Sequence, residues 1–237
     1  PVMRIQFLTN RTPSSKLIIG FLLICLSFPE SAMADKASDD FNLGVELHRT
    51  QRYELAADTL NQFLKDFPEH PRTNLAHMYL GLSLSSIEKY TLAREQFALF
   101  LKAEPNGQNS GEARYRIGEC SYYLRDYSTA IEQLSEYLKT YPEHSRINWA
   151  QLLLGESYVY SEQWAKAETV LNRLVASEKT NPSVVDDARL SLGIAFEGLR
   201  KTPEALEQYR LISDGKHLTA APRAMMRIAA IQFAEEQ

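Results

Sequence analysis

The side chains able to do chemistry are few and scattered along the 237 residues. Five histidines occur, His48, His70, His77, His144 and His217. None stands in the HExxH spacing that sets two imidazoles on one helix face around a metal, so neither metal nor cofactor is expected. His70 and His144 occupy one position in two copies of a short segment, "FPEHP" (67–71) and "YPEHS" (141–145), and turn chemistry accounts for both. Cys120 falls where a helix must pack on two sides, which reads as a buried thiol. The carboxylate pairs Asp39-Asp40 and Asp186-Asp187 read as solvated helix starts, and Glu235-Glu236 as a terminal run. There is no phosphate-cradling glycine loop and no G-x-S-x-G. An enzyme is not expected. The chemistry left open is binding, which requires elements that present a surface.

Those elements are written as a repeat. "LKDFPEHP" (64–71), "LKAEP" (101–105) and "LKTYPEHS" (138–145) stand at equal steps of thirty-seven residues. Gly44, Gly81, Gly118 and Gly155 keep the same step, and Gly193 follows after thirty-eight. Before each glycine is Leu43, Leu80, Ile117, Leu154 or Leu192; nine residues after the first four come Tyr53, Tyr90, Tyr127 and Trp164. Twelve residues after each stand Ala56, Ala93, Ala130, Ala167 and Ala205. Within a unit the apolar positions run at i, i+3, i+4 and i+7, as in Tyr127, Ala130, Ile131 and Leu134, which is helical spacing. Each unit therefore reads as two helices of about 14 residues, some 21 Å long. A proline such as Pro142 stops the second, since its ring cannot continue a helix interior. The small glycine and alanine columns are expected to let the two backbones of a pair approach closely.

This pattern resembles the tetratricopeptide repeat, with leucine–glycine in helix A, alanine in helix B and a closing proline, over about residues 38–221. "YRIGECSYYLRDY" (115–127) and "LGESYVY" (154–160) are similar to helix A of bacterial envelope members of that superfamily. These are the periplasmic protein associated with the Tol–Pal system and the lipoprotein of the outer-membrane assembly machinery. The resemblance implies an all-α solenoid of antiparallel helix pairs in a right-handed superhelix, five units over residues 35–221. It implies a concave surface lined by helix A side chains that holds a protein or peptide. Family positions relative to the glycine place Met78, Tyr115, Glu119, Tyr122, Leu152, Glu156 and Tyr160 in that groove. Glu119 and Glu156 read as exposed carboxylates suited to a basic residue between apolar anchors.

The first thirty-four residues differ in kind. Arg4, Arg11 and Lys16 precede the apolar run "LIIGFLLICL" (17–26), and Ala32 and Ala34 form an A-x-A site. The run is about half the ~20 residues a spanning helix needs. With Met3 as the start, residues 3–34 read as a signal peptide cleaved after Ala34, for export across the inner membrane to the periplasm. Cys25 lies inside the run behind the bulky Ile24, so lipid attachment is not expected. Cleavage leaves 23 basic and 29 acidic side chains, a formal −6, and Cys120 without a disulfide partner. That charge gives no reason to expect nucleic acid as a partner, and no membrane span remains after cleavage.

Residues 222–237, "PRAMMRIAAIQFAEEQ", read as one more helix A, apolar over a wide arc through Met225, Met226, Ile228, Ile231 and Phe233. They are expected to serve as a cap, as a self-association or assembly surface, or as the first half of a further repeat in a longer protein.

Overall fold

The computed structural model describes residues 29–177, 180, 182–213 and 220–236. Residues 3–28 of the expected signal peptide lie outside them; Pro29 to Ala34 open the first helix, which runs on past the expected cleavage point. Eleven helices follow one another among the described residues: α1 (Pro29–Arg49), α2 (Tyr53–Asp66), α3 (Thr73–Ser86), α4 (Tyr90–Ala103), α5 (Ser110–Tyr123), α6 (Tyr127–Thr140), α7 (Ile147–Tyr160), α8 (Trp164–Ala176), α9 (Pro182–Gly198), α10 (Thr202–Ser213) and α11 (Ala221–Glu235). Odd-numbered helices are the A helices of successive units and even-numbered ones the B helices. The helices α2 to α7 are each 14 residues long, matching the periodicity.

The glycine column works differently from the expectation of backbone on backbone. A Cβ at Gly44, Gly81, Gly118, Gly155 or Gly193 would meet the side chain sixteen residues on, at 2.3–2.7 Å. Those side chains are Leu60, Phe97, Leu134, Leu171 and Tyr209, all 0% exposed. Each A helix thus offers a notch and each B helix fills it with one large knob. Burying such a knob contributes ~1.5–3 kcal/mol by removal from water. The alanine column, Ala56 to Ala205, is also 0% exposed.

Five identical turns join A to B. Gln51, Glu88, Arg125, Glu162 and Arg200 all sit near φ +60°. In the third unit the Arg125 N–H donates to the Tyr122 carbonyl and the Asp126 N–H to the Ser121 carbonyl. The other four turns repeat this pair of bonds, which is the Schellman arrangement that satisfies the last carbonyls of a helix. In the B-to-A turns, Nδ1 of His70 accepts the Arg72 N–H at 3.2 Å, and Nδ1 of His144 accepts the Arg146 N–H at 3.4 Å. His144 also lies 2.7 Å from the Tyr137 hydroxyl. The repeated histidine is a turn residue.

Consecutive helices pack along the whole array, and α1 touches α3, α5 touches α7 and α7 touches α9. No comparable contact between B helices occurs among the described residues. The A layer is therefore the inner, concave side. Its core is divided along the array, with Phe41, Leu60, Phe97 and Phe100 in one cluster, Leu134 and Tyr137 in a second, and Leu171, Leu192 and Tyr209 in a third. α11 joins the third through Ala224 and packs on α10. Among the described residues no helix is long and apolar enough to cross a membrane.

Candidate binding groove

Four A helices turn side chains into one cleft of about 480 Å³ on the concave side. α5 supplies Tyr115, Glu119, Tyr122 and Tyr123; the first three share a helix face by their i, i+4, i+7 spacing. α7 supplies Trp149, Leu152, Leu153 and Glu156, with Arg146 just before it; α9 adds Asp187 and α11 adds Arg223. Of the seven groove residues expected from the sequence, five meet here: Tyr115, Glu119, Tyr122, Leu152 and Glu156. Tyr115 and Leu152 are 2% and 3% exposed, so they form wall rather than contact surface. Met78 packs in the first core cluster, away from this cleft. Tyr160 does not line the cleft but lies 6.2 Å from the Tyr122 ring, ring centre to ring centre.

The carboxylates correct the expectation of solvated charges. Glu119 is 14% exposed, because Arg116 and Tyr115 fold over it from the preceding turn. Arg116 spans Glu112 and Glu119 at 2.7 Å each, and the Tyr115 hydroxyl donates to Glu119 at 2.8 Å. Glu156 is partly buried and accepts from two hydroxyls, Tyr122 at 2.7 Å and Ser191 at 3.1 Å. Burial pushes its carboxyl above the usual range, only partly offset by those two hydrogen bonds. Burial also raises Asp187, against the pull of Arg223. Asp186 and Asp187 do not cap a helix start, because α9 begins at Pro182 and places them in its second turn. Asp186 is buried and Asp187 faces the cleft. Asp39 and Asp40 likewise lie well inside α1. Burial also raises the hydroxyls of Tyr115 and Tyr122, keeping them protonated as donors. Cys120 is fully buried and its thiol is pushed up to about 12, mainly by burial. Among the described residues no cluster of three metal-binding side chains occurs.

Along one edge of the cleft, sharing Tyr122 and Tyr123 with its lining, runs a strip of tyrosines only partly expected from the sequence. Tyr90 stacks on Tyr123 with ring centres 4.8 Å apart, and Tyr127 stacks on Tyr160 at 5.0 Å. Tyr122 meets Tyr123 edge-on at 5.4 Å and joins the two stacks. Tyr123 and Tyr160 remain 51% and 52% exposed. Each stack pairs the aromatic that opens a B helix with the last residue of the next A helix, thirty-three positions on. That offset was readable in the repeat columns. Trp149 and Asp187 were not, because they share one column, six before the glycine, with Ser38, Leu75 and Glu112, and Arg223 stands six before Ala229; no single residue type marks that column.

The tetratricopeptide repeat family model matches residues 41–108 and 152–215, together more than half of the chain. The chain belongs to the tetratricopeptide repeat family. Residues 85–181 also match the family of the outer membrane lipoprotein YfiO. No curated protein is detectably similar to the chain in sequence. Among solved structures the fold is similar to that of YrrB, described as a TPR protein with an unusual peptide-binding site. The two share 17% identity at a TM-score of 0.66, covering 87% of this chain and 98% of YrrB. It is also similar to residues 41–end of MamA from Desulfovibrio magneticus RS-1, at 21% identity and a TM-score of 0.64, covering 76% of this chain and 94% of that one. At such identities these likenesses establish the fold. The stretch similar to the outer membrane lipoprotein family includes α5 and α7, which build most of the cleft.

Proposed function

We propose that this tetratricopeptide repeat chain is a non-catalytic protein–protein interaction scaffold of the cell envelope, holding a peptide or protein segment in its concave groove. The observation that carries the reading is the juxtaposition of the half-exposed Tyr123 and Tyr160 with the polar cleft of Glu156 and Asp187. Rigid aromatics beside a few placed polar groups are what peptide recognition uses, because the rings give area at little entropy cost. The envelope assignment draws support from the likeness to the outer membrane lipoprotein family and from the exported-protein pattern of residues 3–34, with cleavage after Ala34. YrrB, of the same fold, is described as peptide-binding.

The test is affinity capture from envelope extract with the parent chain and with a Tyr123→Ala/Tyr160→Ala variant. Each substitution removes one ring stack, ~0.5–1.5 kcal/mol, so the variant should melt several degrees below the parent, and capture is run well below that temperature with its fold verified by circular dichroism. A partner captured by the parent and lost by the variant supports the groove; equal capture by both removes it.

A second reading makes the chain a structural or self-associating subunit, and α11 favours it. Met225, Met226 and Phe233 are 60%, 73% and 64% exposed while Ala224 on the same helix is fully buried. Sedimentation of the parent and of a Met226→Glu/Phe233→Glu variant decides it. Dimers abolished by the variant support self-association, and a parent that is monomeric at high concentration removes self-association, leaving a different protein as the partner for α11.

A further inference from the structure

Two successive repeats place a glutamate directly after the glycine, Glu119 in α5 and Glu156 in α7. Their surroundings differ, and the difference that matters is a cation. Glu119 has Arg116 three residues before it, and that guanidinium bridges Glu119 to Glu112. In the next unit the positions of Glu112 and Arg116 are taken by Trp149 and Leu153. Glu156 therefore keeps a carboxylate at the same site without the arginine that balances it. It accepts only the hydroxyls of Tyr122 and Ser191, and among the described residues no cation stands within 4 Å of it. Asp187 adds a second acid from α9, and Trp149 supplies an indole wall to the same cleft. Arg223 enters from α11, acts on both acids from a distance, and forms no ion pair with either among the described residues.

Resting on the groove reading above, we propose that the cleft between α5, α7 and α9 is an arginine-binding subsite, in which the guanidinium of a partner segment takes the place that Arg116 fills one repeat earlier. A planar guanidinium is the cation suited to this cleft: its fork can engage Glu156 and Asp187, and its face can lie on Trp149 or Tyr123. An ammonium has the charge without the fork or the flat face. Of the two arginines lining the cleft, Arg146 is taken up by Glu112 at 3.5 Å and lies over the Tyr115 ring, whereas Arg223 is a weak resident competitor, near the two acids but paired with neither.

The test uses the full chain and N-acetyl-L-argininamide as probe, followed by nuclear magnetic resonance at the Trp149 indole N–H. Trp164, the other tryptophan, does not line the cleft and serves as internal reference. A saturable shift confined to Trp149 is expected, with the neutral citrulline analogue at least tenfold weaker, as loss of a charge-assisted fork contact requires. Glu156→Gln should weaken the arginine probe by about tenfold, while Arg223→Ala should tighten it about threefold by removing the competitor. Circular dichroism of each variant establishes that it is folded. No Trp149 shift in either the parent or Arg223→Ala overturns the proposal, as does equal binding of the citrulline probe. If the tyrosine variant loses a captured partner yet the arginine probe fails, the groove reading stands and the arginine subsite falls.

Discussion

Glu156 combines a cost in stability with a claim to function. Its carboxyl is raised above the ordinary range by burial, so folding favours the protonated form. Its contribution to stability is complete below the unfolded glutamate range and is lost as pH rises through the raised folded value. The neighbours that modulate this are Asp187, which adds to the rise, and Arg223, which opposes it. Glu156→Gln keeps partners for Tyr122 and Ser191 without the charge. It should raise the melting temperature at pH 7.5 by about 2–4 °C, the response of a chain this size to ~1 kcal/mol, and the gain should shrink towards pH 4. Thermal melts at the two pH values read this, and a lower melting temperature at pH 7.5 would refute it. The sequence placed Glu156 in the groove through the glycine register, yet read it as exposed. What hid its burial is that Ser191 bonds it from the next repeat and Asp187 faces the same cleft from there, and no periodic signal marks either.

At the scale of the helix pair, the repeat columns made nearly the whole fold legible. The glycine, alanine and proline columns gave the helix lengths and the pairing. They did not reveal what the glycine is for, since the knob sixteen residues on varies among leucine, phenylalanine and tyrosine. Gly155→Ala would put a Cβ 2.4 Å from a Leu171 that has nowhere to move, being 0% exposed. Overpacking of that kind costs ~1–3 kcal/mol, and a lowered urea midpoint with unchanged slope would register it. The turn residues went unread because five polar side chains share no side-chain chemistry; what they share is a backbone at positive φ. A left-handed residue other than glycine costs ~1–2 kcal/mol, against the ~0.5–1 kcal/mol glycine loses in chain entropy. Arg125→Gly should therefore stabilise by ~0.5–1 kcal/mol, measured the same way; destabilisation would mean that the exposed Arg125 side chain contributes more than its position suggests.

Across the whole molecule, stability should be held locally, because each unit touches only its neighbours and the core is divided into three clusters. Phe97→Ala removes a fully buried ring from the first cluster, at ~3–5 kcal/mol. Hydrogen exchange should then show lost protection in α1 to α4 with protection in α9 and α10 retained; uniform loss would mean that the array unfolds as one unit. The same modularity keeps the inner layer in place as a continuous surface on which the cleft and the tyrosine strip lie side by side. Recognition is proposed to occur on that inner layer. Site-specific photo-crosslinking in cells tests it most directly, with p-benzoylphenylalanine at Tyr123 or Tyr160 on the groove edge and at Leu99 on a B helix, where the side chain is 44% exposed. Adducts to a common partner from Tyr123 and Tyr160 but not from Leu99 are the expected result. Adducts from Leu99 alone would place recognition on the outer face instead.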